Sequence, residues 1–161
     1  MESAKQEANT CFKEKHFARA VALYTDALAT AADASPASLA VLYSNRSAAN
    51  LALENYGCVV RLERGERLFP DTGQRAALAD SQLCISLDAS FTKGFYRRAA
   101  ALFCLGRHKE ALRDYQRVAR LKPNDSDAQL KLKECDRVVR AEAFAAASAF
   151  TGNPFSVQEK R

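Results

Sequence analysis

The stretch AAALFCLGRHKEALRDYQRVARLKP, residues 99–123, sets Ala99, Leu102, Ala111, Tyr115 and Val118 at spacings of three and four about a central Gly106, and stops at Pro123. Apolar residues three and four apart lie on one face of an α-helix, and a glycine between two such runs marks a turn. The segment therefore predicts a helical hairpin. Small residues at Ala99 and Ala111 predict that the two backbones approach closely.

The same order of residues stands near the N-terminus. In EANTCFKEKHFARAVALYTDALA, residues 7–29, the positions are filled by Ala8, Phe12, Phe17, Ala20, Tyr24 and Ala27. A middle copy starts at VLYSNRSAANLALENY, where Tyr43, Ser47 and Tyr56 fit a first helix, but its second helix waits until ALADSQLCISLD at Ala77. Copies starting at Ala40 and Thr92 are 92 − 40 = 52 residues apart, which exceeds a 34-residue unit by 18. The excess, GCVVRLERGERLFPDTGQ and its flank over about 57–75, carries Gly, Pro and many charges and reads as an inserted loop. Each doubling of a loop costs only about 0.6 kcal/mol, so the repeat survives the interruption.

Three hairpins, at about 1–33, 40–90 and 92–124, thus predict an all-α stack in a right-handed superhelix, its backbones brought together at Ala8, Ala20, Ala27, Ser47, Ala77, Ala99 and Ala111. A long last helix over about 126–149, with Leu132, Cys135, Val138, Val139 and Phe144 as its buried stripe, is expected to cap the stack, and 151–161 reads as a linker.

With 161 residues, 48% of them hydrophobic and 27% charged, the chain suits one soluble domain. Its apolar runs fall short of the ~20 residues a membrane span requires, and MESAKQEANTCFKEK carries no apolar signal segment. Five scattered cysteines, with no Cys-x-x-Cys pair, exclude a zinc framework and read as small core fillers of a reducing compartment, the cytoplasm and also the nucleus. The net charge of +5 suits an acidic partner without naming one. Acids and bases interleave in RLERGER and KLKECDR, so a nucleic-acid module is not the reading.

The pairs Lys5/Asn9 and Lys93/Arg97 are each four residues apart, so each projects from one helical face. Stacked hairpins line a concave wall with their first helices, where both pairs and Asn45, an amide within an otherwise apolar helix face, converge. A chain end that carries two carboxylates needs several donors of fixed geometry, as these five provide. Arg46 and Arg98 read as structural or surface cations. His16 and His108 stand at the hairpin turns and read as packing, and Tyr24 and Tyr115 as core.

A 34-residue hairpin with this pattern resembles the tetratricopeptide repeat. NRSAANLALENYG, KGFYRRAAALFCLG and the segment from Ala111 to Phe144 resemble, more narrowly, the N-terminal repeat domains of type 5 serine/threonine protein phosphatases. The resemblance implies a carboxylate clamp for the Met-Glu-Glu-Val-Asp tail of heat-shock protein 90, with the heat-shock protein 70 tail as a second ligand. In that clamp Lys5, Asn9 and Asn45 hold the terminal carboxylate, Lys93 holds the side chain of the last Asp, and Arg97 holds an upstream acid or carbonyl.

It further implies that the domain restrains its own phosphatase domain in cis. Glu54 lies where the family's inhibitory contact originates, and the insertion directly behind it departs from the family pattern and is expected to reshape that surface. The phosphatase motifs Gly-Asp-x-x-Asp-Arg and Gly-Asn-His-Glu do not occur in these 161 residues. No catalysis and no cofactor are therefore expected of this chain; the two divalent metals belong to the absent phosphatase domain. A free-standing chaperone adaptor with the same clamp is the alternative.

Overall fold

The computed structural model describes the backbone of residues 2–63 and 72–150, and the side chains of residues 3–53 and 73–148. The described residues form seven helices and no strand: α1 (Glu2–Lys13), α2 (Phe17–Ala29), α3 (Pro36–Glu63), α4 (Thr72–Leu87), α5 (Thr92–Cys104), α6 (His108–Leu121) and α7 (Ser126–Phe150). Each helix packs on the next, and α3 also touches α5, so α1/α2, α3/α4 and α5/α6 are stacked hairpins with α7 laid against α6. The all-α repeat fold read from the sequence is the fold observed.

The seven small residues singled out by the repeat pattern are all fully buried, at 0% exposure. Ala8, Ala20 and Ala27 pack with Tyr24 and, across the hairpin boundary, with Leu42 and Ala49 of α3. Ala99 and Ala111 pack with Tyr115 and with Cys135 of α7. Ser47 lies where α3 meets α4, and its hydroxyl donates to the Ala77 carbonyl at 2.9 Å, so this polar residue is satisfied inside the core. Cys11, Cys84 and Cys135 are buried fillers; Cys104 is instead exposed.

Three further expectations change. The loop expected over 57–75 begins later, because α3 continues to Glu63, and ends sooner, because α4 starts at Thr72. One glycine inside a helix costs only about 1 kcal/mol against alanine, and GCVVRLE holds no other breaker. Residues 64–71 and the 151–161 linker lie outside the described residues.

Phe144, expected in the buried stripe of α7, is 77% exposed. The 25 residues of α7 outrun the 14 of α6, so its last turns have no helix beneath them, whereas Cys135 is buried and Leu132 and Val139 pack on α5 and α6. His16, expected to pack, is exposed, and Phe17 fills the adjoining buried position; His108 does pack, edge to face on Phe103.

The turns of the first and third hairpins close alike. The His16 N–H donates to the Cys11 carbonyl and that of Lys15 to Phe12, while Arg107 donates to Leu102 and Gly106 to Phe103. This pattern requires one residue in the left-handed region, and here these are Lys15 at φ 65° and Gly106 at φ 74°. A side chain in that region costs about 1 to 2 kcal/mol. Gly106→Ala is therefore expected to destabilise by about 1 kcal/mol, purely through its backbone, since nothing lies within 4 Å of the added methyl. Lys15→Gly should restore up to about 1 kcal/mol at the matching turn. Urea midpoints with an unchanged slope would read both.

Candidate functional site

The first helices of the three hairpins, α1, α3 and α5, carry the five donors singled out in the sequence. Asn9 on α1 and Asn45 on α3 meet directly: the Asn45 Nδ2 donates to Asn9 Oδ1 at 3.3 Å. The same oxygen accepts the Tyr24 hydroxyl at 2.6 Å, so the Asn9 amide is held by α2 from one side and α3 from the other. Burial raises the Tyr24 pKa, with the Asn45 amide partly opposing, which keeps this hydroxyl a donor. Lys5 is half-buried on α1, one turn before Asn9.

On α5, Lys93 is exposed and Arg97 half-buried, and together they line a cleft of about 210 Å³ that reaches to Asp125 and Asp127 at the start of α7. Arg97 also lines a second cleft, of about 270 Å³, with Phe12 of α1, Ala48 and Leu51 of α3, Tyr96 of α5 and Lys131 of α7. Phe12 and Ala48 stand three residues beyond Asn9 and Asn45 on their helices. The touching amides are thus one turn from side chains that share a cleft with the guanidinium. Glu54 falls on α3, but its side chain lies outside the described residues.

The neighbouring arginines behave differently. Arg46 grips Asp80 of α4 through two hydrogen bonds, at 2.9 and 2.7 Å. Arg98 grips Asp114 of α6 through two at 2.7 Å. Both carboxylates are buried, both pairs are bidentate, and the carboxylates raise both arginine pKa values. Arg97, by contrast, has no hydrogen bond or ion pair among the described residues; its guanidinium stands 5.7 Å from the Tyr96 ring centroid. Desolvation lowers its pKa from the ordinary arginine value, although Tyr96, Asp127 and Tyr115 partly oppose this.

An arginine has five donors in a fixed fork, and a desolvated one without a partner is suited to an incoming carboxylate or carbonyl. Sequence reasoning missed the Tyr24 hydroxyl, which holds Asn9, and the residues that line the clefts beside Arg97, namely Tyr96 and the α7 residues Asp127 and Lys131. Their helical period gives the face of each, but no sequence signal pairs residues on different helices.

Residues 92–125 match the tetratricopeptide repeat family. Over 148 residues the chain is 38% identical to serine/threonine-protein phosphatase 5 of Rattus norvegicus, an alignment that covers 92% of the chain and 25% of that protein. The chain thus spans about a quarter of the length of this curated relative. Among solved structures, the first repeat domain of Spaghetti (RPAP3) bound to the HSP90 peptide SRMEEVD is 30% identical with a TM-score of 0.64, over 86% of this chain and 94% of that one. The second repeat domain of human RPAP3, in complex with the HSP70 peptide SGPTIEEVD, is also 30% identical with a TM-score of 0.64, over 83% and 92%.

The contrast between adjacent arginines yields a stability prediction for the peptide-free protein. Arg98→Ala leaves Asp114 buried without its partner and should cost about 3 kcal/mol. Arg97→Ala removes a desolvated charge that neutralises nothing, and should stay within about 1 kcal/mol of the parent. Denaturant unfolding of the two variants side by side distinguishes the roles.

Proposed function

The chain belongs to the tetratricopeptide-repeat family, and from this we propose that it is a peptide-binding module whose groove grips an acidic chain end of the heat-shock protein 90 type, with the heat-shock protein 70 type as a second ligand. The observation that carries the reading is the meeting of Asn9 and Asn45 one helical turn from Phe12 and Ala48, which line a cleft with Arg97, a guanidinium without a hydrogen-bonded partner among the described residues. In this assignment Lys5, Asn9 and Asn45 hold the terminal carboxylate, Lys93 the side chain of a final Asp, and Arg97 an upstream acid or peptide carbonyl. Two similar solved structures hold such peptides, SRMEEVD and SGPTIEEVD, which supports the choice of ligand.

The magnitudes are sufficient. Hydrogen bonds to charged groups contribute about 1.5 to 3 kcal/mol each, and four or five of them, less the cost of association, reach the roughly 8 kcal/mol of micromolar binding. The donors are spread over three helices, so a ligand with only one carboxylate engages part of the set.

We assign the module to a longer chain in which it is the regulatory, autoinhibitory domain of a metal-dependent serine/threonine phosphatase of the cytoplasm and nucleus. The 38% identity along 92% of the chain to such an enzyme favours this over a free-standing adaptor, the reading that the RPAP3 domains support. Glu54 is the contact assigned to the phosphatase domain in that arrangement.

Calorimetry with SRMEEVD and with its C-terminally amidated form tests the groove. Amidation should abolish most binding, and Lys93→Ala or Arg97→Ala should each cost about 2 kcal/mol or more. Equal affinity for the acid and the amide would refute the clamp.

A further inference from the structure

Tyr96 is enclosed on three sides. Its ring stands edge to face with Tyr115 of α6, at 5.7 Å between centroids and 74° between planes. Its hydroxyl donates to Asp127 Oδ2 at 2.5 Å, from the first turn of α7. The guanidinium of Arg97 stands over it, Cζ 5.7 Å from the ring centroid. Burial, and then the hydrogen bond to Asp127, raise the ionisation of the hydroxyl well above that of an ordinary tyrosine, so it remains a donor.

Arg97 has no other anchor: among the described residues no carboxylate or carbonyl takes its N–H groups. A guanidinium recognises a carboxylate through two parallel hydrogen bonds, so its orientation decides how well it binds, and a long side chain left free loses rotamer freedom on binding. The Tyr96 ring is the surface against which that orientation is set. A hydrogen bond from the phenol to a carboxylate also enriches the ring in electron density, which strengthens its attraction for the cation. Tyr96 and Arg97 line both clefts, so the ring position shapes the wall between them.

We propose that Tyr96 is a positioning residue for the Arg97 anchor and that Asp127, reaching from α7, is the brace that fixes it, which makes the first turn of α7 a working part of the peptide groove. The proposal rests on the groove reading above. Binding and the docking of α7 are then reciprocally linked: a peptide that engages Arg97 stabilises α7 in place, and loss of the brace weakens the peptide.

The test is a thermodynamic cycle on the whole chain, with SRMEEVD as probe. Tyr96→Phe keeps the ring and removes only the hydroxyl; it should weaken binding about fivefold, the factor that corresponds to one ordinary hydrogen bond, with little change in thermal unfolding. Asp127→Ala should weaken binding equally, and Asp127→Asn, which still accepts a hydrogen bond, should weaken it less. In an Arg97→Ala background the effect of Tyr96→Phe should vanish, because the group it positions is gone. A structural defect would instead weaken binding by the same factor in both backgrounds, and that result overturns the proposal. Should Arg97→Ala alone leave affinity for SRMEEVD untouched, the groove reading itself fails, an outcome distinct from a failed brace.

Discussion

The close approach of neighbouring helix backbones is the constraint on which the rest of this structure depends. Ala8, Ala20, Ala27, Ser47, Ala77, Ala99 and Ala111 are fully buried where helices meet, and a larger side chain at any of them would force the axes apart. At Gly94 the approach is closer still: an added Cβ would lie 3.0 Å from both Cys84 Sγ and Ile85 Cγ1 of α4. Gly94 stands between Lys93 and the buried Phe95, so the same contact that draws α5 onto α4 fixes the start of the helix that presents Lys93 and Arg97.

Distance alone leaves each helix free to rotate about its axis, and the bidentate arginine pairs remove that freedom. Arg46 and Arg98 clamp α3 to α4 and α5 to α6 through buried carboxylates whose planar geometry admits little rotation. Successive helical residues point about 100° apart, so fixing Arg46 aims Asn45 at Asn9, and fixing Arg98 turns Arg97 into the clefts. In the first hairpin the polarity reverses, with Glu7 on α1 and Arg19 on α2 at 2.9 Å. That pair is exposed and contributes little. There the Tyr24 hydroxyl, from inside the core, orients Asn9 instead.

The fold was legible because its signal is local. Helical spacing and small residues repeat within hairpins, and all seven small residues lie where the pattern put them. What the pattern could not show is where a partner helix ends. Phe144 continues the apolar stripe of α7, yet α6 no longer lies beneath it, and α3 extends into the expected loop because a single glycine cannot stop a helix whose next residues favour continuing. For the site, helical spacing singled out Asn9 and Asn45, which meet, and Arg97, which lines both clefts. The groups that hold these residues were hidden, since Tyr24 is 15 residues from Asn9 and Asp127 is 31 from Tyr96. Such pairings depend on how hairpins stack, which one sequence does not encode as a motif.

An arginine without a hydrogen-bonded partner among the described residues raises the question why nearby acids leave it alone. Each acid that shares a cleft with Arg97 is already engaged. Glu134 is held by Lys131 at 2.9 Å, one turn away on α7. Asp127 takes the Tyr96 hydroxyl. Asp125 caps α7, its side chain accepting the Ala128 N–H at 3.1 Å, so its charge serves the helix N-terminus. An acid that closed on Arg97 would forfeit one of these contacts and block the cleft, whereas an incoming carboxylate forfeits only water. Local pairing of the protein's own acids thus leaves the guanidinium without a hydrogen-bonded partner among the described residues, its desolvation offset only in part by Tyr96, Asp127 and Tyr115.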